Sequence, residues 1–203
     1  MGIVNLLAQF SPHKYMHVTA DHERASDDRR ERQLLDRIAD RDREAFDELF
    51  RAYHPRLFRF VFRITASYRA TEEVVNDILL IVWQSAHTFR GDSRVSTWIF
   101  GIAYRQSLRH LRKRKITTIP ITDDKIVDTG ADKRIEREDW VRRGISKLPP
   151  KQRLTVMLVY YLGLTYEETA AATGSPVNTI KTRMFHARRK LREYLGEIAG
   201  QRS

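Results

Sequence analysis

Apolar residues recur along this chain at steps of three, four and seven, the spacing of one helical face, and no stretch alternates convincingly as a strand does. Between Arg29 and about Thr65 the stripe runs through Leu34, Leu35, Ile38, Ala45, Phe46, Leu49, Phe50 and Tyr53. Pro55 marks a bend or the first turn of a further helix, a short apolar one carrying Leu57, Phe58, Val61, Phe62 and Ile64. Thr71 is placed to cap the next helix, 72 to about 87, with Glu72 and Glu73 in its first turn. That helix is apolar almost all round, as expected of one buried on several sides or offering a face to a partner. "FRGDS" (89 to 93) breaks the pattern as a loop. A helix from about Ser96 to Lys115 follows; it opens with Trp98, Ile99, Ile102 and Ala103 and closes in six basic residues with no acid.

From 116 to about 134 periodicity lapses around Pro120, Gly130 and four aspartates, the composition of a linker. A second domain then opens with Trp140, Val141, Ile145 and Leu148, a helix that "LPP" terminates, and continues through Leu154, Val156, Met157, Val159, Tyr160 and Leu162 to Gly163. Thr165 followed by Glu168 is a capping-box signature for a short helix to about Ala172, and Ala170 to Ala172 keep it slim enough for close crossing. Gly174 suits a left-handed turn, Ser175 a cap, and Pro176 the first position of a long helix. That helix buries Val177, Ile180, Met184, Ala187, Leu191 and Leu195. Asn178, Thr179, Lys181, Thr182, Arg183, His186, Arg189 and Lys190 are left on its other faces. A short helix, a glycine turn and a basic helix make a helix-turn-helix, whose second helix enters a major groove. The pattern predicts an all-α fold: an N-terminal arm (1–28), a helical domain (29–115), a flexible linker (116–134) and a helix-turn-helix domain (135–203).

Charge sharpens the functional reading. The 203 residues carry a net +11, which favours a polyanionic partner, nucleic acid before an anionic membrane surface. The chain has no cysteine, so disulfides, thiol catalysis and cysteine-containing zinc sites are excluded. His13, His17 and His22 are too sparse for a metal site, and no metal or cofactor is expected. No apolar run approaches the roughly 18 residues of a membrane span, and "GIVNLLAQF" lacks the basic leader and cleavage site of a signal peptide. No phosphate loop, nucleophile elbow or HExxH is present, so the chain reads as a non-enzyme.

Two segments together resemble the extracytoplasmic-function class of bacterial RNA polymerase sigma factors, over roughly residues 40 to 195. "LPPKQRLTVMLVYYLGLTYEETAAATGSPVNTIKTRMFHARRKL" is similar to that family's domain for the minus-thirty-five element. "EAFDELFRAYHPRLFRFVFR" and "ATEEVVNDILLIVWQSAHTFRGDSRVSTWIFGIAYRQSLRHLRKRK" are similar to its polymerase-binding, minus-ten-melting domain. The resemblance implies polymerase contact by Glu73, Asn76, Asp77, Leu80 and Ile81. It implies minus-ten contact by Phe89, Arg90, Ser93, Arg94, Trp98, Arg105, Arg109, Arg112, Lys113 and Arg114. Minus-thirty-five contact falls to Pro176, Asn178, Thr179, Lys181, Thr182, Arg183, Phe185, His186 and Arg189. Trp98 and Phe185 each have a second reading as core residues. The family commonly carries asparagine where Arg105 stands, aspartate where Arg109 stands, and arginine where His186 stands.

The resemblance further implies a cytoplasmic bacterial protein whose partners are core RNA polymerase, promoter DNA as duplex and melted strand, and an anti-sigma factor over the polymerase- and DNA-facing surfaces. One alternative is a two-domain helix-turn-helix regulator acting without polymerase. Another is a basic module that sequesters a partner and touches DNA only incidentally. The first of these does not explain an apolar helix paired with a basic run beside an aromatic-containing loop.

Overall fold

The computed structural model describes the backbone of residues 18–116 and 143–200 and the side chains of 27–113 and 143–194. These residues form α1 (Val18–Ala39), α2 (Arg43–Thr65), α3 (Tyr68–Ser85), a 3₁₀ turn (Ala86–Thr88) and α4 (Val95–Ile116). After a helical turn at 143–146 come α5 (Pro150–Val156), which runs directly into a π turn (Met157–Tyr161), then α6 (Tyr166–Thr173) and α7 (Val177–Gly200). Among the described residues there is no strand. Residues 1–17, the predicted linker from 117 on, Trp140, Val141 and the side chains of Arg114 and Leu195 lie outside the described residues.

Local chemistry moves several predicted boundaries. Helix α1 starts at Val18, so residues 18–28, read as part of an arm, are helical. Their polar sequence hides this: Asp28 pairs with Arg32 one turn on at 2.8 Å, but it also accepts from the Val95 backbone N–H at 2.9 Å, a partner far along the chain. The break expected at Pro55 falls instead at Asp40–Asp42, where Arg41 takes φ 67° and Asp42 caps α2 by accepting from the N–H groups of Glu44 and Ala45. Pro55 sits inside α2, between the fully buried Tyr53 and Leu57, whose packing offsets the missing hydrogen bond. Ser67, not Thr71, caps α3. Thr71 is buried one turn in, its hydroxyl 2.7 Å from both the Ser67 carbonyl and the Thr65 hydroxyl, a back-bond that satisfies it without water.

The apolar stripes of α1 to α4 meet in one cluster around Leu35, Ile38, Tyr53, Phe60, Ile78 and Ile99. A second, smaller cluster holds Leu148, Val156, Val159, Ile180, Met184 and Leu191. Helix α5 and its π turn lie between the two. The Leu162 N–H reaches back to the Met157 carbonyl (3.2 Å), and this wider winding lets Met157 and Leu158 enter the first cluster while Val159 enters the second. Leu154 and Leu164 join the first cluster as well. Burying each such side chain is worth about 1.5–3 kcal/mol, so the C-terminal half is packed on the N-terminal half and not merely tethered to it.

Helices α4 and α6 approach each other closely. A Cβ on Gly101 would stand 2.8 Å from the Ala172 carbonyl oxygen, closer than real Cβ atoms come. The slimness of the alanine run therefore serves a crossing, and the helix that crosses is α4.

Candidate nucleic-acid and partner interfaces

The turn before α7 is built as the sequence predicts in outline, with one change of role. The capping box is complete: the Thr165 hydroxyl accepts from the Glu168 N–H (3.0 Å) and the Glu168 carboxylate accepts from the Thr165 N–H (2.9 Å). Gly174 takes φ 61°. The Ser175 N–H donates to the Ala170 carbonyl at 3.1 Å and that of Gly174 to Ala171, which closes α6 in a Schellman motif. Ser175 thus ends α6 through its backbone, and the Pro176 carbonyl takes the first bond of α7, from Ile180.

Helix α7 buries Ile180, Met184, Ala187 and Leu191, as the periodicity requires. Pro176, Asn178, Lys181, Thr182 and Arg189 are exposed; Thr179, Arg183 and His186 are half-buried. Phe185 is 62% exposed, which removes its core reading, and its ring meets His186 edge-on at 5.5 Å. Asn178, Thr179, Thr182, Arg183 and His186 line, with Gln152, a shallow depression of about 290 Å³. Polar side chains displayed on the first turns of a helix are what base edges are read by. Arg188 takes a different part: its guanidinium donates to the hydroxyls of Tyr160 (2.7 Å) and Tyr166 (3.0 Å) and pins α7 to the elements before it.

Helix α4 divides along its length. Ile99, Phe100, Ile102, Ala103 and Tyr104 are buried, whereas Arg105, Arg109, Arg112 and Lys113 are exposed. Arg105, Arg109 and Arg112 recur at steps of about one turn and form a positive track, with Lys113 next to its end. Trp98 is half-buried against Phe89, ring centroids 5.6 Å apart, and both pack on the first cluster. Arg90 is exposed, and Ser93 and Arg94 are half-buried. The loop before α4 is held by residues that periodicity did not single out. Arg32 donates to the carbonyls of Gly91 (3.1 Å) and Ser93 (2.9 Å), and Asp28 receives the first N–H of α4. Gly91, at φ 77°, leaves room for Arg32, whose Nη1 would lie 2.8 Å from an added Cβ. These contacts join residues some sixty positions apart in the chain, and no local signal announces them.

On α3, Glu73, Asn76, Asp77 and Leu80 are all exposed, Leu80 at 52%, and their i, i+3, i+4, i+7 spacing puts them on one face. Ile81 is half-buried. The opposite face, Val74, Val75, Ile78, Leu79 and Val82, is buried, which accounts for the all-round apolar sequence. Beside the exposed face runs a groove of about 480 Å³ lined by Phe46, Phe50, Asn76, Leu79, Leu80 and Trp83. Phe46 and Trp83 pack edge-on at 5.1 Å, and Arg41 lies 5.6 Å from the Trp83 ring. Phe46 and Phe50 read from sequence as core; they are half-buried and line the groove.

Two family models match: Sigma-70 region 2 over residues 49–116 and Sigma-70, region 4 over residues 138–191. The ECF RNA polymerase sigma factor RpoE of Cereibacter sphaeroides is 33% identical over 165 residues, spanning 76% of this chain and 88% of the relative. The ECF RNA polymerase sigma factor SigM of Mycobacterium tuberculosis is 32% identical over 160 residues, spanning 77% and 80%. CnrH, solved in complex with the cytosolic domain of CnrY, shares the fold with a TM-score of 0.65 at 22% identity, over 83% of this chain and 98% of that one. RpoE from Bartonella quintana, solved with the anti-sigma factor NepR, superposes with a TM-score of 0.58 at 25% identity, over 74% and 96%.

Proposed function

The chain belongs to the extracytoplasmic-function class of RNA polymerase sigma factors, binds core polymerase and directs promoter-specific initiation, and from that premise we propose which residues divide the work. A domain of residues 29–115 docks on polymerase through Glu73, Asn76, Asp77, Leu80 and Ile81, with the aromatic groove beside them receiving an apolar ridge of the partner. Its loop Phe89 to Arg94 and its track Arg105, Arg109, Arg112, Lys113 and Arg114 take the minus-ten element. Cations hold the backbone there, and Phe89 and Trp98 offer the stacking surface beside it. A domain of residues 135–203 reads the minus-thirty-five element with the first turns of α7, the exposed Phe185 making an apolar contact.

The observation that carries this reading is the separation of surfaces by chemistry. Helix α3 shows a mixed acidic and apolar face, of the kind a protein partner takes, while α4 and α7 show basic faces, of the kind a phosphate backbone takes. No nucleotide site is required, since strand opening draws on binding energy within the polymerase complex, so the chain works as a cytoplasmic, non-enzymatic initiation factor. An anti-sigma factor is its natural antagonist, as in the solved complex of Bartonella quintana RpoE with NepR, and the exposed Leu80 with the groove beside it is the surface such a partner covers.

Run-off transcription with purified core polymerase tests the assignment. Leu80→Asp is expected to lower core binding at least tenfold while leaving helix content unchanged. Loss of initiation with core binding intact would move the polymerase face elsewhere.

A further inference from the structure

Three large apolar side chains stand exposed among the described residues: Phe185, Leu80 and Tyr68. The proposed function uses the first two. Tyr68, the most exposed of them at 68%, opens α3 and has no part in it. It belongs to a ladder of rings. Phe46, Phe50, His54, Phe58 and Phe62 follow one another at steps of four along α2, each of them half-buried. Successive ring centroids lie 6.3, 4.9, 6.2 and 6.0 Å apart, and Tyr68 closes on Phe58 at 5.1 Å. One end of the ladder lines the groove beside Leu80. The other end floors a second depression of about 330 Å³, lined by His54, Pro55, Phe58, Arg59, Tyr68 and Glu72. The stack of Phe50 on His54 joins the two, so an unbroken aromatic surface runs along the outside of α2.

A continuous apolar surface of this kind marks a place where something docks. Its rim says what sort of occupant fits. Each depression carries an acid and a base, Glu72 with Arg59 and Asp47 with Arg43, so neither selects a charged segment. The chain itself holds an uncharged one. Residues 2–13, "GIVNLLAQFSPH", contain no Asp, Glu, Lys or Arg in a chain that is 31% charged. Three further charge-free runs, 78–89, 95–104 and 154–166, all lie in helices and turns that pack into the cores. In the first run Ile3, Leu6, Leu7 and Phe10 have the spacing of one helical face, and Pro12 ends the pattern.

The connection is long enough. Helices α1 and α2 run antiparallel: Arg30 pairs with Glu48, and Asp28, Glu31 and Arg56 line one polar cavity. Carried back along α1, this register brings Val18 level with the last turns of α2, where Phe62 and Tyr68 end the ladder. Residues 11–17, extended, span about 24 Å. Residues 2–10 as a helix measure about 14 Å, against about 18 Å of α2 between Phe50 and Phe62.

We propose that residues 2–10 dock as a short amphipathic helix on this aromatic ladder, with Ile3, Leu6, Leu7 and Phe10 against Phe58 and Tyr68. The seated segment covers Tyr68 and adds a wall to the outer side of α2 and α3, next to the face that carries Leu80. The contact is made within the free chain and does not depend on the sigma-factor reading.

The test uses the full chain, whose lack of cysteine allows two to be placed at will. Gln9→Cys on the flank of the segment and Arg59→Cys on the rim of the depression are joined by a short bismaleimide at submicromolar protein. A link within one chain is expected as the main product. Adding Ile3→Asp with Leu7→Asp keeps the tether and removes the apolar stripe, and is expected to lower the yield about tenfold with helix content unchanged. Tyr68→Ala, at an exposed position, should lower it in the same sense. Equal yield from the aspartate variant means that the tether alone brings the two positions together, which overturns the proposal. Links between chains that grow with concentration would give the ladder to a second copy and overturn it equally.

Discussion

Helices α4 and α7 are both long, both carry a run of basic residues and both face DNA in the proposed function, yet they are built in opposite ways. Helix α7 buries one stripe against the helices before it, and its first turns put Asn178, Lys181, Thr182 and Phe185 into solvent. Helix α4 is first a structural post, with Ile99, Phe100, Ile102, Ala103 and Tyr104 buried and α6 crossing it at Gly101. Only its later turns show cations, and these point along one track. The difference teaches where base readout is possible. In the proposed function side chains on α7 meet base edges directly, whereas the later turns of α4 grip phosphates and leave the bases to Trp98 and the loop ahead of it.

The largest effect should come from Trp98→Ala. If the early turns of α4 are core, losing this ring costs about 3 kcal/mol, read as a lower urea midpoint at constant slope. Unchanged stability with failed strand opening would instead make Trp98 a base-contacting residue and bring α4 nearer to α7 in kind. A second pair of variants compares the outer faces directly. Phe185→Ala should reduce discrimination among minus-thirty-five sequences by about 1 kcal/mol and leave stability within about 0.5 kcal/mol. Arg109→Ala with Arg112→Ala should weaken all sequences alike and lower the salt slope of binding by about 2. A change in sequence preference from the arginine pair would contradict the division.

Thr165→Ala removes half of the capping box at the head of α6, the helix that both supports α7 and crosses α4. The expected cost is about 1 kcal/mol, seen as a lower Tm with DNA preference unaltered. The smallest effect concerns Glu31, which lines the polar cavity beside Phe100 of α4. Burial holds its carboxyl above the usual carboxylate range, against the pull of Tyr53 and Arg56. The folded state therefore favours the protonated form, and stability falls as pH rises from about 4.5 through the raised value. Glu31→Gln should gain about a degree of Tm at pH 7 and lose that gain near pH 4, followed by thermal melts across this range.

Much of this was legible without coordinates. The all-α class, the stripe of α7, the capping box and the left-handed Gly174 are local matters, set by residues within two turns of one another, and they appear as read. The Sigma-70 matches to both halves agree with the family resemblance stated from the quoted motifs. Boundaries set by distant partners were not legible. Helix α1 extends back to Val18 while Asp28 and Arg32 hold a loop far along the chain, and Pro55 stays within α2 because Tyr53 and Leu57 are buried beside it.

The sequence by itself determined the all-α class, which faces are basic and what kind of partner each face suits, because helical period and charge are properties of neighbours in the chain. Only the tertiary structure decided that Phe185 is exposed, that Phe46 lines a groove, and that α6 lies on α4. Those outcomes depend on which apolar stripes find each other, and a stripe does not name its partner. Gly101 shows the limit: as a letter it is a weak point in a helix, and only the crossing of α6 explains why no larger residue fits there.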